Sequence, residues 1–282
     1  MEAREKVYPR GVIERGVERE EIKETHPSLE KCRIGIIGLS AGAGVSFLTL
    51  ALAKAISEHG LVPAVAELGK SGIYDALGMD VRFSGRQFFS YHQALDQNMK
   101  IRARDNFDEG INWALRCPGE DHIRLGASKM LRLIDNIRGE VVLCDFSGVD
   151  LPSQTDTLTA EMLRDMDGLI AVADPLPSRL LGSYPQFLEL STISKEIVYV
   201  INKDNRGVKR KEVNRMLKLE KPIYLPFIEP EEIYRAEYSC GIAYGNAAVK
   251  RQMKDPVREI LRRVMPPELL AFQDRGRTKR RS

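Results

Sequence analysis

The sequence predicts a three-layer α/β protein: a mainly parallel central sheet of about seven strands with helices on both faces. Three observations carry this. Apolar runs of strand length recur along the chain, from Ile34–Ile37 through Val141–Asp145 and Gly168–Ala173 to Glu196–Ile201. Segments with apolar residues at helical spacing separate them. A glycine-rich turn joins the first run to the first such segment, and 282 residues suit one α/β domain with tails.

Residues 1–30 are polar and charge-mixed and read as an N-terminal arm; residues 31–265 form the expected domain. Ile34, Ile36 and Ile37 read as a buried parallel strand. After the turn, Phe47 to His59 reads as a helix closed by Gly60. Leu61–Leu68 is the next strand, and Gly69–Gly72 a loop on the rim where ligands collect in such sheets. Residues 79–110 are the least legible; their aromatics (Phe83, Phe88, Phe89, Tyr91, Phe107) are interleaved with Arg82, Arg86, Lys100, Arg102 and Arg104. That mixture suits a partly buried connector, with a single-stranded nucleic-acid strip as the alternative, and His92 reads as packing. Gly110–Cys117 reads as a strand, Ala127–Arg138 as an amphipathic helix, and Val141–Asp145 as a buried strand. Asp156–Arg164 is a helix, Gly168–Ala173 a core strand, and Asp174–Ser178 a stiff turn into a helix through Gln186–Leu190. Strand Glu196–Ile201, basic helix Lys209–Leu219, strand Pro222–Pro226 and helices Glu229–Ala236 and Asp255–Val264 complete the domain. Residues 266–282 form a basic tail with Arg275, Arg277, Lys279, Arg280 and Arg281.

The chemistry gathers at Gly38-Leu39-Ser40-Ala41-Gly42-Ala43-Gly44-Val45-Ser46. Strand, small-residue turn and helix together let backbone N–H groups converge on an anion. A phosphate loop normally ends Gly-Lys-Ser/Thr, its lysine neutralising the β- and γ-phosphates. Here Val45 holds the lysine position, while Ser46 keeps the hydroxyl for Mg²⁺. A turn that merely packs a helix on a sheet is the plain alternative. Asp145, ending its strand, sits where a Mg²⁺- or water-facing carboxylate belongs, and Gly148 has an N–H for a γ-phosphate; a turn cap is the alternative for Asp145.

With these residues in view, the chain resembles the MinD/ParA family of deviant-Walker P-loop ATPases. That family's first loop lysine falls on Ser40 and its second on Val45; Gly42, Gly44 and Ser46 match its glycines and hydroxyl. Val141–Gly148 resembles its apolar strand ending in Asp-x-Pro-Ala-Gly, Ile197–Asn202 with Lys203 its adenine-reading strand end, and Tyr224–Phe227 its late strand end beside the base. The resemblance implies ATP or ADP with Mg²⁺. The implied nucleotide residues are Gly38, Ser40, Ala41, Gly42, Ala43, Gly44, Val45, Ser46, Phe47, Glu67, Gly148, Asn202, Lys203 and Pro226, with Ser46 and Asp145 on the metal and Asp145 catalytic if the protein turns over. It also implies a homodimer across the nucleotide face and a protein partner from a positioning, partition or pilus-assembly system. Without both lysines the expected role is a scaffold with little or no hydrolysis. The alternative is a working ATPase in which Lys70, Arg33 or a partner's arginine restores the charge.

A net charge of +3 excludes nucleic-acid binding by overall charge, and 43% hydrophobic with 29% charged residues is ordinary globular composition. The four cysteines are dispersed and read as reduced thiols of a cytoplasmic protein. No apolar run approaches the roughly 18 residues a membrane span needs. The basic tail is a candidate contact for nucleic acid or an anionic membrane surface, without an apolar face beside it.

Overall fold

The structure is a computed structural model that describes residues 31–99, 106–120, 122–151, 158–193 and 196–270. The N-terminal arm, the distal basic tail and Lys100, Arg102 and Arg104 lie outside the described residues. Among the described residues eight strands form one sheet: β1 (Cys32–Gly38), β2 (Pro63–Glu67), β3 (Phe107–Asp108), β4 (Ile111–Ala114), β5 (Val141–Phe146), β6 (Gly168–Ala173), β7 (Ile197–Asp204) and β8 (Ile223–Pro226). Their order is β3-β4-β2-β5-β1-β6-β7-β8. All neighbours are parallel except β3 and β4. The strand beyond the expected seven is β3, two residues of antiparallel edge within the stretch that sequence left illegible.

The helices are α1 (Val45–Glu58), α2 (Ile73–Ala76), α3 (Met79–Arg82), α4 (Tyr91–Asp96), α5 (Ala127–Asn136), α6 (Leu158–Arg164), α7 (Pro177–Gly182), α8 (Tyr184–Ile193), α9 (Arg210–Met216), α10 (Pro230–Tyr238) and α11 (Ala247–Val264). Both sheet faces are covered, as two-residue alternation along buried strands requires. Ile34, Ile36, Leu143, Ile170 and Val172 pack with Leu48 and Leu52 of α1 and with Val249, Met253 and Val257 of α11. Ile37, Cys144, Phe146, Ala171 and Ala173 pack with Leu133 of α5, Leu163 of α6, Leu190 of α8 and Val213 of α9. Each such Ile or Leu contributes about 1.5–3 kcal/mol, and Leu269 is buried in the first of these clusters.

The last helix begins at Ala247, not Asp255, and runs through Pro256. An interior proline costs about 3 kcal/mol, and Asp-Pro looks like a helix start in sequence. The buried face of Val249, Met253, Val257, Ile260 and Leu261 on both sides of Pro256 holds the helix continuous. In the 79–110 stretch, Phe83 meets Phe88 edge-on at 5.0 Å and Phe89 meets Tyr91 at 5.1 Å. Arg82 and Arg86 pair with Asp108 at 2.6 and 3.2 Å, so these cations are spent inside the connector. His92 is fully buried, and burial holds its ring nitrogen down to about 4. At the other end of the sheet, Lys31 Nζ caps the last carbonyls of α5, donating to Ile134 O and Ile137 O at 3.1 and 2.8 Å.

Candidate functional site

Parallel strands bring Gly38, Glu67, Asp145 and Asn202 to one rim, the carboxyl ends of β1, β2, β5 and β7. The loop after β1 turns back on itself and enters α1 through Gly44 at φ +98°. A left-handed backbone there favours glycine, and packing demands it too: a Cβ on Gly44 would stand 2.1 Å from Asn202 Nδ2.

The loop's carbonyls are tied outward by side chains from the β6–β7 side. Gln186 Nε2 donates to Gly38 O at 3.2 Å, Arg179 Nη1 to Ala41 O at 3.5 Å, Lys203 Nζ to Gly42 O at 2.8 Å and Asn202 Nδ2 to Ala43 O at 2.8 Å. With these carbonyls held out, the N–H groups of Gly42 and Gly44 and the first-turn N–H groups of α1 have no carbonyl partner among the described residues. Donors converging at a helix start make an anion nest. Ser40 Oγ, at the position of the first lysine, is buried without a hydrogen-bond partner. Val45 turns away: it is 5% exposed, and its Cγ2 lies 3.1 Å from where a Gly38 Cβ would be. Its side chain therefore contributes packing under the loop, and only its N–H is available to a ligand. Ala43, 1% exposed, is likewise core.

Asp145 is fully buried. Its Oδ1 accepts from Ser147 N–H at 2.8 Å, and its Oδ2 has no hydrogen-bond partner. Burial raises its pKa, and the hydroxyls of Ser147, Ser46 and Thr49 pull the other way. A buried carboxylate oxygen without a partner beside a serine hydroxyl is the hard-oxygen donor set that suits Mg²⁺, so the residues present fit that ion. Glu67 is also fully buried, opposite Asp145 in the strand register. Its two oxygens are occupied, accepting from Ile73 N–H at 2.9 Å and Arg116 N–H at 3.0 Å. Burial lifts it to about 7, against those hydrogen bonds, and the Asp145 charge adds to the rise. Glu67 thus organises two loops, while Asp145 alone of the two keeps a free oxygen for a metal or water.

The loop after β2 is laced to the end of β5. Gly69 N–H donates to Asp145 O at 2.9 Å and Lys70 N–H to Ser147 O at 2.7 Å. A Cβ on Gly69 would sit 2.1 Å from Ser147 O. Gly148, at φ +70°, lies against the Lys70 stem, 3.0 Å from its Cβ by the same measure. Lys70 is exposed on the rim. Arg33 is not near: it stands at the opposite end of β1, paired with Asp165 at 2.9 Å and Asp167 at 3.6 Å, and supplies no charge to the loop. On the base side, Asn202 is 6% exposed, its Oδ1 accepting from Lys203 N–H at 2.8 Å and one amide hydrogen spent on Ala43 O. Lys203 pairs with Asp174 at 2.8 Å. Burial alone would raise Asp174, but the hydrogen bonds from Lys203 and Leu176 N–H outweigh it and hold the carboxyl below the ordinary range. Pro226 pairs with Asp204 across β7 and β8; the next residue, Phe227, lines a cavity of about 300 Å³ together with Gly44, Ser46, Phe47, Asn202 and Lys203. Sequence reading missed Asp174, Arg179 and Gln186. The available signal was position: Asp174 directly follows a core strand, as Asp145 ends one.

This fold and site define an α/β protein built around a phosphate-loop-like turn. The chain is similar in structure to a ParA family ATPase from Chlorobium tepidum TLS, at TM-score 0.61 and 16% identity over 82% of this chain and 98% of that one. It is equally similar to the septum site-determining protein MinD of Pyrococcus horikoshii OT3, a complex with Mg-ADP, at TM-score 0.61 and 17% identity over 82% and 96%. Cyanthece apo McdA matches at TM-score 0.58 and 12% identity over 82% and 99%. The fold is therefore MinD/ParA-like, with its sheet flanked by helices as in those ATPases. No protein-family model and no curated protein matches the sequence.

Proposed function

We propose that the chain binds ATP or ADP with Mg²⁺ at residues 38–47 and serves as a positioning scaffold with little or no hydrolysis. The reading rests above all on the outward-tied loop: it presents amides to a phosphate beside the partnerless oxygen of Asp145, with Val45 buried where a lysine would act. The N–H groups of Gly42, Gly44, Val45 and Ser46 hold the phosphates. Ser46 and Asp145 hold the metal, which when bound neutralises phosphate charge. Phe47 and the second amide hydrogen of Asn202 face the base side, and the Gly148 N–H faces a terminal phosphate. Phosphoryl transfer is driven by positioning and electrostatics, so a cradle without its lysines binds better than it catalyses. The structural neighbours include a MinC:MinD complex from Aquifex aeolicus. By analogy the chain acts as a homodimer across the nucleotide face with a protein partner in a positioning, partition or pilus-assembly system. The basic tail adds a nucleic-acid or membrane contact. Among the described residues no helix is long and apolar enough to cross a membrane.

One observation favours a working ATPase as second reading: the ammonium of Lys203 has three donors, of which Gly42 and Asp174 take two. Calorimetric titration with ATP and ADP, with and without Mg²⁺, tests the proposal. Binding strengthened by Mg²⁺ supports it, and silence in every titration overturns it. Turnover that disappears in Asp145→Ala replaces the scaffold with the enzyme.

A further inference from the structure

We propose that the cleft at the amino ends of β6 and β7, on the rim opposite the loop, is a docking slot in which an extended acidic segment of a partner protein adds to β7. β6 pairs with β7 from Ile197 onward, but β8 joins only at Val200. Ile197, Val198 and Tyr199, about 10 Å of strand, therefore have no strand on their outer side. Among the described residues no loop backbone hydrogen-bonds to these three. Alternate residues of a parallel strand turn their N–H and C=O to alternate sides, so at least one of the three offers both groups outward. Such an edge is a template for a further strand. Burial agrees: the three residues are half-buried, whereas Val200 and Ile201, where β8 is in place, are buried.

The space beside this edge is a cleft of about 540 Å³, within the range that ligand sites occupy. Its far wall is the 218–222 link from α9 to β8, with Arg263 and Val264 at the end of α11. Arg263 fixes that wall: its Nη1 donates to Lys221 O at 2.7 Å and its Nε pairs with Glu259 at 2.9 Å. Charge selects the occupant. Asp167 in the lining is answered by Arg33, accepting from its N–H at 2.7 Å and lying 3.6 Å from its Nε. Glu196 has an interaction of its own. Lys218 and Lys221 are exposed, and neither ammonium has a hydrogen-bond or ion-pair partner among the described residues. Only Glu220 opposes them, so the slot attracts carboxylates and disfavours the chain's own basic tail. Lys218 also takes a left-handed backbone, φ +49°, at a helix end where glycine is usual, and its side chain lines the cleft. No residue is shared with the nucleotide site, since Asn202 lies about 17 Å further along β7 than Ile197.

The test uses the full chain and a fluorescein-labelled Val-Glu-Val-Glu-Val-Glu peptide, read by fluorescence anisotropy, with Val-Lys-Val-Lys-Val-Lys as control. Saturable binding of the acidic peptide is expected, about tenfold or more tighter than that of the basic one. Lys218→Glu and Lys221→Glu each weaken it about tenfold, while Lys211→Glu, on α9 outside the cleft, leaves it within about twofold. The acidic peptide N-methylated at every residue keeps its charge, loses its donors, and binds about tenfold more weakly or worse. Absence of saturable binding overturns the proposal, whether another segment of this chain fills the slot or nothing does. Equal binding of the N-methylated peptide overturns it, because attraction would then be charge alone. So does a loss in Lys211→Glu equal to that at the cleft lysines, which would spread the contact over the surface. Self-association of the full chain that is lost in Lys221→Glu, without peptide binding, gives the slot to a second copy and also overturns it. Hydrogen exchange supplies an independent reading: the peptide slows exchange at residues 197–199, and protection confined elsewhere overturns the proposal. None of these outcomes depends on whether nucleotide binds.

Discussion

The two flanks of the phosphate-loop-like turn are built from opposite materials. On the β2–β5 side stand two fully buried carboxylates, Glu67 and Asp145, and burial raises the pKa of both. On the β6–β7 side stand Lys203, Arg179, Asn202 and Gln186, all donating to loop carbonyls. One flank lacks the charge that would settle its carboxylates, and the other spends its donors shaping the loop. The difference teaches that the loop's shape, with its N–H groups left unpaired, is set by side chains on one flank and needs no cation at Val45. Geometry comes from the braces, whereas the charge on the other flank is that of its two carboxylates.

The comparison is broken most severely on the carboxylate flank. Glu67 ionises near 4.5 when unfolded and near 7 when folded. Below pH 4.5 both states hold the proton. Between the two values only the unfolded chain releases it, so stability falls as pH rises, by about 3 kcal/mol in all, and levels off above 7. Glu67→Gln removes this slope, which urea unfolding across pH 4 to 8 measures. Next in size, Asp145→Ala lowers the Mg²⁺-dependent part of ATP affinity about a hundredfold, close to 2.7 kcal/mol, and leaves metal-free binding unchanged; calorimetry with and without Mg²⁺ separates the two. On the brace flank, Asn202→Ala leaves Ala43 O and Lys203 N–H without their partner and costs about 1–3 kcal/mol. Thermal unfolding should register that as a drop of a few degrees, about 2–4 °C per kcal/mol. The smallest effect belongs to Lys70→Met, because Lys70 is exposed and its contact with Gly148 runs through the aliphatic stem: stability moves within about 0.5 kcal/mol. ATP affinity unchanged in that variant leaves Lys203 as the nearer cation, and a tenfold loss makes Lys70 the replacement.

Much of this architecture was legible because the information is local. Apolar runs such as Val141–Asp145 are strands buried on both faces, and the turn holding Gly42, Gly44 and Ser46, weak as a bare pattern, was placed by the strand before it and the helix after it. Asp145 followed from its place at a strand end. The braces were not legible, because Gln186 and Gly38 are separated by 148 residues and Arg179 and Ala41 by 138; no local pattern marks a side chain that serves a distant carbonyl. Glu67 illustrates the same limit differently. Its position at the rim follows from the strand pattern, but that its oxygens would be taken by Ile73 and Arg116 depends on two loops whose course only tertiary packing fixes. Pro256 and the two-residue β3 failed for the converse reason: a strong local signal, or none, was overruled by burial.

The lacing of Gly69 and Lys70 to Asp145 and Ser147 has a mechanical outcome. Ser147 holds the 69–72 segment through the Lys70 N–H, and that segment leads straight into Ile73, whose N–H donates to Glu67 and whose side chain walls the cavity. The strand tip and the cavity wall are thus tied through one hydrogen-bonded segment, residues 69–73.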